Sequence, residues 1–139
     1  MLLYTGTTRP AHSILARQSE RSKTRETRAV LLEMVSLAQK MRRSLQKNDL
    51  SEFGTLLHRN WLLKKSLSSG ISDPTIDRWY ETARKHGAEG GKILGAGGGG
   101  FLLLYGPKEK HRAILRAIPT LVQTSFSFEP QGSKIIYVG

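Results

Sequence analysis

The chain has 139 residues, with 22 Lys and Arg against 11 Asp and Glu for a formal charge of +11, and no cysteine. That length fits one domain, residues 1–139, able to bury about two-thirds of its unfolded surface, and the lack of cysteine excludes a disulfide framework and thiolate metal sites. No stretch approaches the ~20 apolar residues that span a bilayer, and the first residues have neither a basic leader nor a long apolar run, so a cytoplasmic protein without membrane contact is expected.

Leu2-Leu3-Tyr4 reads as a short strand, followed by Thr5-Gly6-Thr7-Thr8-Arg9-Pro10, in which Pro10 suits the first position of a helix. A strand with no lead-in points to a chain cut from something longer. Residues 16–29 are almost wholly polar and read as exposed helix or mobile loop. Leu31, Met34, Val35, Ala38, Met41 and Leu45 then recur at helical spacing and predict a helix to about Gln46. Between Arg9 and Lys47, ten Lys and Arg face three Glu, a net +7. Such a stretch suits a phosphorylated ligand, a nucleic acid or an acidic partner surface, and equally an ordinary solvated helix face.

Asp49-Leu50-Ser51-Glu52 has the form of a capping box, with Leu50, Phe53, Leu57 and Trp61 on one face of the helix it opens. Ser68-Ser69-Gly70 breaks that helix. Asp73-Pro74 restarts one, placing Ile76, Trp79, Tyr80 and Ala83 inward until Gly87 stops it. Phe101–Tyr105 is an apolar run expected of a central strand, and residues 107–118 read as a helix ended by Pro119. Val122, Phe126 and Phe128, then Pro130-Gln131-Gly132-Ser133, then Ile135–Val138 predict a closing antiparallel hairpin. The sum is an α+β fold: helices on one face of a mostly antiparallel sheet of four or five strands.

The segment KILGAGGGGF, residues 92–101, is the most informative. Glycines lack Cβ, so consecutive ones turn through positive φ and let amide N–H groups converge on a phosphate or carboxylate. Lys92 adds a positive charge nearby. A flexible linker is normally flanked by polar sequence, whereas this run lies between Ile93-Leu94 and Phe101–Tyr105. Gly95, Gly97 and Gly100 formally satisfy G-x-G-x-x-G, but a dinucleotide fingerprint should open a helix and meet an acid about 20 residues on. Here a strand follows, and the next acid that far along is Glu129. No Gly-Lys-Ser/Thr closes the run as a P-loop requires, and no His-Arg-Asp or Asp-Phe-Gly accompanies it as in a protein kinase. A phosphate-cradling turn between two strands remains.

With Lys92, Gly95, Ala96, Gly97, Gly98, Gly99 and Gly100 entering an apolar strand, the chain resembles the carboxyl-terminal domain of the GHMP small-molecule kinases over essentially its whole length. Within that family it looks most like the kinases that phosphorylate D-glycero-D-manno-heptose 7-phosphate at the anomeric oxygen. Tyr4–Arg9, Asn60–Lys65, Ile76–Tyr80 and Gly87–Lys92 carry that likeness. The resemblance implies a ferredoxin-like domain and ATP- and Mg2+-dependent phosphoryl transfer to a sugar phosphate in a cleft between two domains. It assigns the phosphate or nucleotide contact to Lys92 and residues 95–100, first of all to the amides of Gly97 to Gly100. Thr5, Gly6 and Arg9 are assigned to the substrate, since the Arg9 guanidinium fork suits an oxyanion.

The family's amino-terminal domain, with its Pro-x-x-x-Gly-Leu-Gly-Ser-Ser nucleotide loop, has no counterpart in these residues, and no catalytic residue is assigned. The expectation is half of an enzyme, inactive alone and completed in cis or in trans. A basic nucleic-acid module is the competing reading, disfavoured because only Phe126 and Phe128 alternate on a strand and neither Arg nor Lys stands between them. A stand-alone domain binding a small phosphorylated ligand would use the same loop. His12, His58, His86 and His111 are far apart and read as solvated, so no metal ligand is assigned. Trp61 and Trp79 read as core, Asp73 as an N-cap, Asp77 as a first-turn helix acid, and Lys64 and Lys65 as cleft-facing or as complements to the helix dipole.

Overall fold

Leu102 and Leu104 are buried while Phe101, Leu103 and Tyr105 are half-buried, an alternation that gives strand β3 (Phe101–Tyr105) one face in the core. In this computed structural model, which describes residues 1–7, 12, 15, 19, 24–132 and 134–137, β3 lies between two antiparallel neighbours. On one side Ile93 of β2 (Gly90–Ile93) is opposite Leu102; on the other Leu3 of β1 (Leu2–Tyr4) is opposite the same residue. Strand β4 (Val122–Thr124) pairs antiparallel with the far edge of β1, giving the order β2-β3-β1-β4. This is the ferredoxin-like order.

The helices follow from local signals. Helix α1 (Arg25–Gln46) starts where the Thr24 hydroxyl accepts from the amide of Thr27 at 3.2 Å. Helix α2 is Phe53–Leu67 and α3 is Pro74–Lys85. The Asp73 carboxylate accepts from the amides of Thr75 and Ile76, both at 2.9 Å, and caps α3 as expected. A 3-10 turn, Lys108–Lys110, leads into the short α4 (His111–Ala117) in place of the single helix expected over 107–118.

Leu3, Ile93, Leu102 and Leu104 from the sheet meet Trp61, Ile76, Tyr80, Ala83 and Ile114 from the helices in one core. Removing each large side chain from water contributes about 1.5–3 kcal/mol, so this layer supplies most of the drive to fold. Gly90 allows α2 to lie against the edge strand: a Cβ there would stand 2.1 Å from the Gly54 carbonyl oxygen.

Four expectations need correction or placement. On α1 Leu37 is buried and Val30, Leu31, Met34 and Met41 are half-buried, while Val35, Ala38 and Leu45 are exposed, because this helix packs on α2 along a narrow seam. Asp49 does not cap α2; its carboxylate accepts from the amide and hydroxyl of Ser51 in a local turn, and Leu50 is exposed. No closing hairpin forms among the described residues: Phe128, Ile135, Ile136 and Tyr137 are 82–89% exposed, and Phe126 packs edge-on against Phe128. Alternation alone supplies no partner strand, and an isolated hairpin is marginal in water. Arg9 and Pro10, and most of the polar stretch 16–23, lie outside the described residues.

Candidate functional site

The glycine run joins β2 to β3, and its neck is closed by the amide of Leu94 donating to the carbonyl of Phe101 at 2.8 Å. Two segments outside the loop hold it. The amide of Gly98 donates to the carbonyl of Ile71 at 3.0 Å, just before α3, and that of Gly100 to the carbonyl of Thr7 at 2.7 Å, just after β1. Thr5 completes the second anchor: its amide and hydroxyl both donate to the carbonyl of Gly100 at 2.9 Å.

The packing explains two of the glycines. A Cβ on Gly97 (φ +114°) would stand 2.7 Å from the Ile71 carbonyl oxygen, and one on Gly99 (φ +152°) 2.6 Å from that of Thr7. Both are left-handed positions pressed against backbone that cannot swing aside. The loop is therefore fixed, and its amides divide. Those of Gly98 and Gly100, two of the four expected to face a ligand, are already spent on internal carbonyls. Those of Gly97 and Gly99 have no hydrogen-bond partner among the described residues.

Beside the loop lies a cavity of about 180 Å³. Thr5 and Thr7 line it from the β1 side, Gly98 and Gly99 from the loop, and Asp73, Thr75, Ile76 and Trp79 from the start of α3. Complete small-molecule sites enclose roughly 300–1,000 Å³, so this volume accommodates one group of a ligand. A roomier hollow of about 390 Å³ at the corner of α1 and α2 is lined by Lys40, Arg43 and Lys47 and also by Asp49 and Glu52.

Of the sequence-assigned residues, Thr5 is buried, Gly6 is exposed at φ +72°, and Ala96 packs on the core. Lys92 is half-buried, and burial holds its ammonium below the ordinary lysine value. The structure thus ties Thr5 to the loop and places Lys92 on the strand that leads into it, while Arg9 is outside the described residues. Lys64 at the last turn of α2 donates to the carbonyl of Gly95 at 2.5 Å. Its pKa is lowered to about 8, first by burial and then by the charge of Lys92. Lys65 instead pairs with Asp77 at 2.8 Å, where the Ser72 hydroxyl also donates.

Trp61 is fully buried as expected, but Trp79 is only half-buried and faces the cavity as well as the core. Its helical spacing could not separate those roles. His58 is not solvated: it stacks on Tyr80 and shares a 2.7 Å hydrogen bond with its hydroxyl. Burial, with Arg84 and Lys65 nearby, lowers the His58 pKa, and burial raises that of Tyr80 to about 12. Among the described residues no three of His, Cys, Asp or Glu are grouped to hold a metal ion, and no helix is long and apolar enough to cross a membrane.

Sheet order, covering helices and a rigid glycine turn between β2 and β3 define an α+β domain of the ferredoxin-like class. Residues 41–122 match the family model GHMP kinases C terminal. The chain is 36% identical over 98 residues to D-glycero-alpha-D-manno-heptose 7-phosphate kinase of Campylobacter jejuni, covering 68% of this chain and 29% of that protein. L-fucokinase/L-fucose-1-P guanylyltransferase of Bacteroides fragilis is 32% identical over 122 residues, which is 86% of this chain and 13% of that protein. The crystal structure of L. major mevalonate kinase in complex with R-mevalonate has the same fold, with a TM-score of 0.76 at 21% identity over 85% of this chain and 36% of that one. The chain belongs to the GHMP kinase family and corresponds to its carboxyl-terminal domain. It spans less than a third of the length of the heptose 7-phosphate kinase it matches.

Proposed function

We propose that this chain is the carboxyl-terminal half of an ATP- and Mg2+-dependent sugar kinase that phosphorylates D-glycero-D-manno-heptose 7-phosphate at its anomeric oxygen. The observation that carries the reading is the rigid glycine turn, in which the amides of Gly97 and Gly99 have no partner among the described residues and Gly99 lines a small cavity. The heptose 7-phosphate kinase and fucokinase relatives support a sugar as acceptor.

Phosphoryl transfer depends on positioning and on neutralising charge at the moving group. Fixed amides aimed at that group do this without reorganising. In this reading ATP supplies the phosphoryl group, and the Gly97 and Gly99 amides, with Lys92, stabilise its oxygens. Thr5, Gly6 and Arg9 hold the sugar phosphate. The described residues hold no group of three or more His, Cys, Asp or Glu, and no step is assigned to the metal in this half. The nucleotide loop and the acid–base residues belong to an amino-terminal kinase domain, present in cis or as a separate chain.

The test is phosphoryl transfer from ATP by the completed two-domain enzyme, comparing D-glycero-D-manno-heptose 7-phosphate with L-fucose. Preference for the heptose phosphate is expected. Preference for fucose, or turnover of neither, overturns the substrate assignment.

A further inference from the structure

Beyond β4 the chain carries a strand pattern that the fold does not use among the described residues. In Ser125-Phe126-Ser127-Phe128-Glu129 polar and apolar residues alternate strictly, so an extended backbone puts both phenylalanines on one face. Their rings already pack edge to face, with centroids 5.5 Å apart. After a turn at Pro130-Gln131 comes the apolar run Ile135-Ile136-Tyr137. All five of these large side chains are half or more exposed. Among the described residues no backbone group beyond β4 is hydrogen-bonded to the body of the domain, and the amide of Gln131 closes only on the carboxylate of Glu129 at 2.9 Å.

Apolar side chains and peptide groups left in water together are the two needs that the edge of a β-sheet meets at once. The chain's own edge is a poor host, because β4 is three residues long. A second copy is a poor host as well, because each copy brings a net charge of +11. The family match closes at residue 122, so the segment follows the matched domain rather than completing it, and the heptose 7-phosphate kinase relative has most of its length outside the part matched by this chain. We infer that residues 125–137 are a docking segment, an extended strand that adds to a sheet edge of the amino-terminal kinase domain and seats Phe126, Phe128 and Ile136 on that domain's apolar surface. The inference rests on the reading of this chain as one half of a two-domain kinase, and it names the surface by which this half holds the other.

The experiment is backbone hydrogen–deuterium exchange of the 139-residue chain alone and of the completed enzyme, with the amino-terminal half in cis or supplied as a separate chain. In the chain alone, residues 125–132 and 134–137 should exchange as an open peptide does. In the completed enzyme they should slow at least a hundredfold, while β3 is slow in both. Phe128→Asp and Ile136→Asp should return the segment to fast exchange in the completed enzyme, and Ser127→Asp, on the opposite face of the same strand, should not. Slow exchange of β3 in every variant shows that the domain itself stays folded. Fast exchange of the segment in the completed enzyme, or equal release by all three variants, overturns the inference. Protection already present in the chain alone overturns it too, and sedimentation then tells whether the edge belongs to a second copy, seen as a dimer, or to the chain's own sheet. Phosphoryl transfer by the same samples separates the docking from the reading beneath it. Turnover with an unprotected segment sinks the docking and leaves the kinase reading standing; a protected segment without turnover does the reverse.

Discussion

The ammonium of Lys64 donates to the carbonyl oxygen of Gly95 at 2.5 Å, tying the end of α2 to a loop that begins 31 residues later. One side chain thereby links the helical layer to the turn between β2 and β3. The same contact draws the charge out of water and toward Lys92, which is why the Lys64 pKa falls to about 8.

That depression makes stability depend on pH. Between about 8 and the ordinary lysine value of 10.5, the folded state releases the Lys64 proton while the unfolded chain retains it. The unfolded state then binds more protons, so stability rises with pH through this window and carries the full penalty below it. Denaturant unfolding of wild type and Lys64→Met at pH 7.5, below that window, and at pH 10, within it, should show the difference narrowing in favour of wild type at the higher pH. Parallel behaviour of the two proteins would remove Lys64 as the cause.

The glycines of the loop should differ in their tolerance of a methyl group. Gly95 has open space around its Cβ position, so Gly95→Ala carries only the left-handed backbone cost of about 1–2 kcal/mol. Gly97→Ala and Gly99→Ala add a clash with the carbonyls of Ile71 and Thr7 and should cost clearly more. Urea midpoints for the three variants give the order, and equal midpoints would mean that the anchors yield.

Asp73→Ala removes the cap of α3 and should cost about 0.5–2 kcal/mol. Asp73→Asn, whose side-chain oxygen still accepts from Thr75 and Ile76, should recover most of the loss in thermal unfolding. Equal loss in both variants would place the importance of the side chain outside the cap.

Trp61→Ala should be the harshest of these changes, at about 3–5 kcal/mol, because the indole is fully buried at the centre of the core. Trp61→Phe should cost much less, since the buried indole N–H has no hydrogen-bond partner to lose. Calorimetric unfolding of both variants checks the ranking.

The fold was largely legible because its signals are local. Asp73-Pro74 marks a helix start, Gly87 a stop, and Phe101–Tyr105 a strand whatever surrounds them. Tertiary choices were less so. Leu37 rather than Val35 is buried because α1 leans on α2, which spacing alone does not reveal. The Ile135-Ile136-Tyr137 run reads as strand but finds no partner edge among the described residues. At the site, the glycine run announced backbone convergence, yet which amides remain for a ligand depends on the Ile71 and Thr7 carbonyls, two groups without a side-chain signature. Trp79 was hidden for a similar reason, being apolar at helical spacing and touching both core and cavity.

The most direct test of the central claim is ADP release in the presence of D-glycero-D-manno-heptose 7-phosphate, measured for this chain alone, for the amino-terminal kinase domain alone, and for the two together. Turnover only in the combined sample is the predicted result. Robust turnover by the 139-residue chain on its own would contradict the account.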